Sequence, residues 1–262
     1  MKKLGFIGMG NMAMALATGF ISGGSLAKSA VYAYAPHYDK LAKNAENVGF
    51  QPVKTMEELL AACDTFVVAC KPYQIEDILK AYGAELDQKT VLSVAAGWNF
   101  EQFRSFLPKA HIQCIMPNTP AMVSEGVFLF EETNSLTEEE LDTVKALFAG
   151  LGVVEVLPTS LMGIGGAISG CGPAFVDLMI EAYADAAVKY GMQRRQAYRI
   201  VSKMIEGSAT LQLKTEQHPG VLKDQVCSPR GTTIKGVTTL EKCGFRDACI
   251  SSIDAIMDAK KN

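Results

Sequence analysis

The sequence contains no CxxC pair, and its seven cysteines are an odd number. Neither a disulfide framework nor a thiolate metal site is indicated, and reduced thiols in a cytoplasmic setting are expected. Only three histidines occur, His37, His111 and His218, too far apart in sequence to set up a metal site. Charge of one sign is lacking as well. The net charge is −3, and no basic run is interleaved with aromatics. That leaves no electrostatic case for nucleic acid or for an anionic membrane. No apolar stretch approaches the roughly 20 residues of a membrane span, so none is expected. The opening "MKKLGFIGMG" has glycines that break its apolar run and no small-residue cleavage site after it, unlike a signal peptide. There is no internal repeat, and no arginine precedes Arg104. What is present is 262 residues, 48% apolar and 20% charged, enough for two modest domains with real cores.

The first 160 residues alternate strand and helix patterns. "KLGFIGMG", "AVYAYA", "TFVVAC", "TVLSVAA" and "HIQCIMPN" read as short buried strands. "NMAMALATGFIS" and "YDKLAKNAENVG" read as helices between them. "TMEELLAACD" is a helix with Thr55 as N-cap and Glu58 closing a capping box. This alternation predicts a mostly parallel α/β sheet covered on both faces. After residue 160 only helices are expected. "GPAFVDLMIEAYADAAVKYG" stops at Gly191, and "RRQAYRIVSKMIEGSATLQL" carries Ala197, Ile200, Val201, Met204 and Ile205 on one face. Residues 231–243 and 246–260 form two more helices. We therefore divide the chain into 1–160 and 161–262. Apolar helical faces this extensive leave surface over for a second copy.

The chemistry begins with "GMGNMA". Gly8, Gly10 and Ala13 form a GxGxxA between a strand and a helix, with Asn11 and Met12 at the helix start. Gly8 permits the tight turn, Gly10 lets backbone approach a pyrophosphate, and free N–H groups meet the anion. An NAD site carries an acid at the end of the second strand, but Ala35 and Pro36 stand there. That favours NADPH, with NADH as the alternative. A 2′-phosphate then falls to His37, Tyr38, Lys40 or backbone donors. Lys71 and Pro72 in "ACKPYQ", Ala96 and Gly97 in "AAGW", and Asn118 and Thr119 in "MPNTPA" all follow strands. They should line the same crevice, with Asn118 and Thr119 in reach of a nicotinamide carboxamide.

Later in the chain, "SPRGTT" leads into a helix. The N–H groups of Gly231, Thr232 and Thr233 are then orphan donors suited to a carboxylate, with helix capping as the plainer use of the threonines. "IGMGNMA", "ACKPYQ", "AAGW", "IMPNTPA", "SGCGPAF" and "HPGVLKDQVCSPRGTT…LEKCGF" occur in that order. Together they resemble the Δ1-pyrroline-5-carboxylate reductase family from end to end. The resemblance implies a Rossmann-type doubly wound domain followed by an all-α dimerisation domain. It also implies NADPH-dependent reduction of a cyclic imine, 1-pyrroline-5-carboxylate, to L-proline, and homodimers able to assemble into a larger ring such as a decamer. By the same resemblance Thr233 donates to the substrate nitrogen, Glu216 steadies the pocket, and Gly170, Cys171 and Pro173 line it from the partner's side. This chain departs from the family pattern at Cys171 (serine there), at Arg230 (glycine) and near Met56 (asparagine). A 3-hydroxyacid dehydrogenase of the same plan would want a pocket lysine on the interdomain helix, where only Lys189 occurs, near the far end. A non-catalytic nucleotide sensor would not need Thr233 and the GxGxxA together.

Overall fold

A computed structural model describes residues 3–259, so position 260 of the last expected helix lies outside the described residues. Contacts divide the chain into two compact units, with the boundary between Gly170 and Cys171.

The first unit holds one eight-stranded sheet: β1 Leu4–Ile7, β2 Val31–Tyr34, β3 Gln51–Pro52, β4 Thr65–Val68, β5 Thr90–Ser93, β6 His111–Met116, β7 Gly126–Glu131 and β8 Gly152–Leu157. The strand order is β3-β2-β1-β4-β5-β6-β7-β8, and every pairing is parallel except β6 with β7. β1 and β4 are buried at every position, as strands covered on both faces must be. Their alternate residues feed two cores. Leu4, Phe6 and Val67 face α1 (Asn11–Ser22), while Ile7, Phe66 and Val68 face the opposite layer. Phe148 of α6 (Glu138–Ala149) anchors the first core, with Phe20, Phe128 and Phe130 edge-on at 5.1–5.6 Å.

The expected strands and helices of this unit are present. Others escaped the sequence pattern: β3, two residues long and ending in a proline; β7; and the half-exposed edge strand β8. The connecting helices α2 (Tyr38–Val48), α3 (Met56–Ala62), α4 (Pro72–Leu86), α5 (Phe100–Phe106) and α7 (Thr159–Gly166) complete the layers. The capping box on α3 needs correction. Thr55 Oγ1 accepts from Glu58 N–H at 3.2 Å, as expected. The Glu58 carboxylate, however, accepts from Lys54 N–H at 2.8 Å, so the reciprocal bond falls one residue early.

The second unit is all helix: α8 Gly172–Lys189, α9 Arg194–Thr215, α10 Pro219–Gln225, α11 Thr232–Lys242 and α12 Phe245–Ala259. The seven-residue α10 was not anticipated. α8 ends at Lys189, and Gly191 follows with φ +94°, the left-handed stop expected of it. α8 and α9 pack along each other, yet among the described residues of this unit only Ala184, Ala197 and Val201 are buried.

The expectation of no membrane-length apolar segment is also corrected. Residues 159–189 form one helical run long and apolar enough to cross a bilayer by length and composition, and 11% of its most apolar window is buried. The glycines and proline of "SGCGP" suggested a break. Instead a π-helical turn, Ala167–Cys171, carries the run through, and Pro173 follows directly after it as the second residue of α8.

Candidate active site

The order β3-β2-β1-β4-β5-β6 reverses direction at β1, flanked by β2 and β4, and ligands of such sheets bind at the strand carboxyl ends there. The turn between β1 and α1 is built for close approach. Gly8 has φ +93°, and a Cβ on it would come within 2.8 Å of Cys70 N. Its N–H donates to Tyr34 O at 2.8 Å, which locks the turn to β2. Gly10 is the N-cap of α1 and has no side-chain cap. Nothing lies within 4 Å of where its Cβ would be, so this side of the turn is an open cradle. Asn11 is exposed and Met12 half-buried at the mouth, while Ala13 is fully buried against the sheet. Open space beside the second glycine with uncapped helix N–H groups fits a dinucleotide pyrophosphate.

Around this turn, Ala35 is half-buried and Pro36 and His37 exposed, with His37 the N-cap of α2. Lys40 is exposed on the same helix. Lys54, not singled out from the sequence, stands with its ammonium 5.5 Å from the centre of the Tyr38 ring. Met56 is 2% exposed, so the side chain at that position is core and has no reach to a ribose. Lys71 is exposed at the start of α4; its N–H donates to Gln74 Oε1 at 3.1 Å, and Pro72 takes the first helical position. Burial pushes the neighbouring Cys70 thiol up to about 11, against a smaller lowering by a backbone hydrogen bond, so it is a neutral lining group. Ala96 and Gly97 are exposed beyond β5.

Asn118 differs from the sequence expectation. Its Oδ1 accepts from Val127 N–H at 2.9 Å and its Nδ2 donates to Ser169 O at 3.0 Å. Both ends of the amide are engaged within the unit, which leaves the exposed Thr119 as the freer side chain. A cavity of about 480 Å³ that includes Lys89, Thr90, His111 and Glu140 opens at the amino ends of the strands, the wrong end for this site.

In the second unit, Ser228–Gly231 is a tight turn in which Gly231 N–H donates to Ser228 O at 3.0 Å. Arg230 takes its third position with φ +61°. Gly231 is then the N-cap of α11, and no side chain caps that helix. A Cβ on Gly231 would meet Ser228 Oγ, which can rotate away, and then Ser228 O at 3.0 Å, so the turn is tightly packed at this position. Thr232 and Thr233 are exposed, and among the described residues neither hydroxyl has a hydrogen-bond partner. By contrast, Thr238 and Thr239 bond back to carbonyls of their own helix. The expectation of three free N–H groups needs correction, because the turn takes the Gly231 N–H; the N–H groups of Thr232 and Thr233 and two free hydroxyls remain at this helix start. Glu216 closes α9 in the left-handed conformation, φ 54°, with its carboxylate exposed. Gly170 ends the first unit inside the π-turn; Cys171 and Pro173 open the second. His218, read only as an isolated histidine, caps α10 by accepting from Gly220 N–H at 3.1 Å. Among the described residues no group of three or more metal-binding side chains occurs.

Comparison with known proteins agrees with both halves. The family model described as pyrroline-5-carboxylate reductase dimerisation matches residues 159–262, and that described as NADP oxidoreductase, coenzyme F420-dependent, matches residues 3–97. The chain is 36% identical over 262 residues to a pyrroline-5-carboxylate reductase of Treponema pallidum, spanning 98% of this chain and 99% of that one. It is 37% identical over 259 residues to the Escherichia coli protein of the same name, spanning 98% and 96%. Among solved structures, Plasmodium falciparum pyrroline carboxylate reductase with NADP bound matches at a TM-score of 0.89 and 32% identity, over 99% of this chain and 97% of that one. With such identity along nearly its whole length, the chain belongs to the pyrroline-5-carboxylate reductase family, which catalyses the last step of proline biosynthesis.

Proposed function

We propose that this enzyme reduces 1-pyrroline-5-carboxylate to L-proline with NADPH in preference to NADH, and that Thr233 is its hydrogen-bond donor to the substrate nitrogen. The reaction follows from family membership; the assignments are ours. The observation that carries them is the uncapped start of α11 with its unengaged threonine hydroxyls.

The substrate is a small anion with one carboxylate and a ring C=N. The N–H groups of Thr232 and Thr233 hold the carboxylate, with the Gly231 N–H kept by its own turn, because a helix start favours an anion through its free donors and dipole. The Thr233 hydroxyl donates to the imine nitrogen and strengthens the electrophile. A threonine's own acidity is too weak to release a proton outright, so water relays the proton that nitrogen gains. Glu216 steadies the pocket, with Gly170, Cys171 and Pro173 contributing its wall. On the cofactor side, Gly8, Gly10, Asn11 and Met12 take the pyrophosphate. Ala35, Pro36, His37 and Lys40 face the adenosine ribose. Lys71, Pro72, Ala96, Gly97, Asn118 and Thr119 line the crevice toward the nicotinamide, with Asn118 acting through its backbone. When bound, that nicotinamide supplies the hydride. No acid stands at the end of β2, and this supports NADPH.

We assign residues 1–160 to cofactor binding and 161–262 to dimerisation and substrate binding. The sheet ends at Leu157 and the dimerisation match begins at residue 159. We further infer a homodimer that can build into a larger ring. All seven cysteines are free thiols, which fits a reducing cytoplasm. Following NADPH consumption with pyrroline-5-carboxylate tests the reading. Thr233→Val should lower kcat by about 100-fold or more with little change in KM, the usual scale of lost acid assistance. A variant with wild-type kcat would remove Thr233 from the mechanism.

A further inference from the structure

The first 103 residues contain no arginine, so an NADPH-selecting site here has to find its cation elsewhere. The sheet supplies one. β2 and β3 pair in parallel with Tyr32 opposite Gln51 and Ala33 opposite Pro52, and Val53 N–H continues the ladder to Ala33 O at 2.9 Å. Lys54 follows just past the carboxyl end of β3, as Ala35 follows just past the carboxyl end of β2. The end of β2 is the place where an NAD-selective sheet carries its ribose-binding acid. A residue distant in sequence is thereby set on the same carboxyl ridge of the sheet as the missing carboxylate.

The position is fixed, and the charge is available. Lys54 N–H donates to Glu58 Oε2 at 2.8 Å, and Thr55 caps α3 immediately after, so the backbone carrying the side chain is held. The ammonium leans over the Tyr38 ring at 5.5 Å. Tyr38 is the first residue of α2, whose N-cap His37 makes no side-chain cap bond. Among the described residues no carboxylate pairs with the Lys54 ammonium, whereas Lys80, Lys89, Lys203 and Lys223 each have one. A cation left without an acid, held by an aromatic face beside an uncapped helix start, suits a phosphate dianion.

We infer that Lys54 is the specificity-determining cation for the 2′-phosphate of the adenosine ribose. The inference rests on the NADPH preference proposed above. His37 and Lys40 are secondary: among the described residues neither side chain has a hydrogen bond, ion pair or ring contact that aims it, and Lys40 lies within α2 rather than on the sheet ridge. Asp39 in the same first turn lies beyond the end of β2 and does not replace the ridge acid.

The test is equilibrium binding of 2′,5′-ADP and 5′-AMP, by calorimetry on the full-length enzyme without substrate, to wild type, Lys54→Met and Lys54→Arg. Wild type should bind 2′,5′-ADP the more tightly. Lys54→Met should weaken 2′,5′-ADP about tenfold, leave 5′-AMP unchanged and melt at the wild-type temperature, because the side chain is exposed. Lys54→Arg should restore most of the loss. If Lys54→Met keeps 2′,5′-ADP affinity within about twofold, or weakens both ligands alike, Lys54 is not the reader and the inference falls, while a wild-type preference for 2′,5′-ADP leaves the NADPH reading standing. If wild type does not distinguish the two nucleotides, the NADPH reading itself fails.

Discussion

Arg230 occupies a left-handed conformation, φ +61°, at the third position of a turn whose second residue is Pro229. Proline there and a positive φ next describe a type II turn, which favours glycine at the position Arg230 holds. A non-glycine residue pays about 1 kcal/mol for this conformation. Its side chain is exposed, and the carboxylate reading of α11 needs only backbone donors. Arg230→Gly should therefore relieve strain and roughly cancel that gain with about 0.7 kcal/mol of added freedom in the unfolded chain. We expect a melting temperature no lower than wild type and a KM for the imine acid within about threefold, the scale of a solvated charge. A tenfold rise in KM would show instead that this guanidinium grips the substrate carboxylate. Residues of this kind are half legible in sequence. The turn is readable from "SPRG", but its backbone conformation is not, since arginine conceals what glycine would have announced.

Among the elements, three helix starts are organised by two carboxylates, one from elsewhere in the chain and one at the third helical position. Glu131, 2% exposed at the end of β7, accepts from Phe100 N–H at 2.8 Å and from Thr159 Oγ at 2.6 Å. It thus ties the start of α5, just past the 95–98 loop, to the start of α7. Glu131→Ala would strand a buried N–H and a hydroxyl, at about 3 kcal/mol. A lowered melting temperature with a raised KM for the cofactor is the expected result, and Glu131→Gln should fall between the two. Glu140 does similar work on α6. Its carboxylate accepts from Thr137 N–H at 2.8 Å, from Thr90 Oγ1 at 2.9 Å and meets His111 Nδ1 at 2.6 Å. Burial raises its pKa, but these donors together outweigh that and hold the carboxyl below its ordinary 4.5. A depressed carboxyl contributes stability above its unfolded value and loses it as pH falls through the folded one. The stability gap between wild type and Glu140→Gln should thus be full at neutral pH and close below about pH 4.5, read by urea midpoints across that range. A gap independent of pH would contradict this.

For the whole molecule, the helical unit cannot stand on the three residues it buries among those described. The stripe expected on α9 splits in two. Ala197 and Val201 face inward, while Ile200 and Met204 are about half exposed. Leu178, in the apolar run of residues 159–189, is 66% exposed. Surface of this kind is covered by a partner in a soluble chain, and the dimerisation match spans it. Light scattering at micromolar concentration should give a mass well above 28.2 kDa, and Leu178→Asp should shift it toward the monomer with a lower melting temperature. An active wild-type monomer would refute the assignment.

Local chemistry was decided by the sequence alone. The GxGxxA turn, the continuous apolar strands, the stop at Gly191 and the donor-rich start at Gly231 follow from backbone sterics and periodicity, which act over a few residues. The partners of groups far apart in the chain were decided only by the tertiary structure. His111 looked solitary until β6 brought it to Glu140, and Asn118 looked free for a ligand until β7 and Ser169 engaged its amide. Lys54 reached the carboxyl ridge of the sheet through the pairing of β3 with β2, and the "SGCGP" break became a π-turn inside one long helix. Pairing across a sheet depends on which strands become neighbours, and spacing along the chain does not encode that.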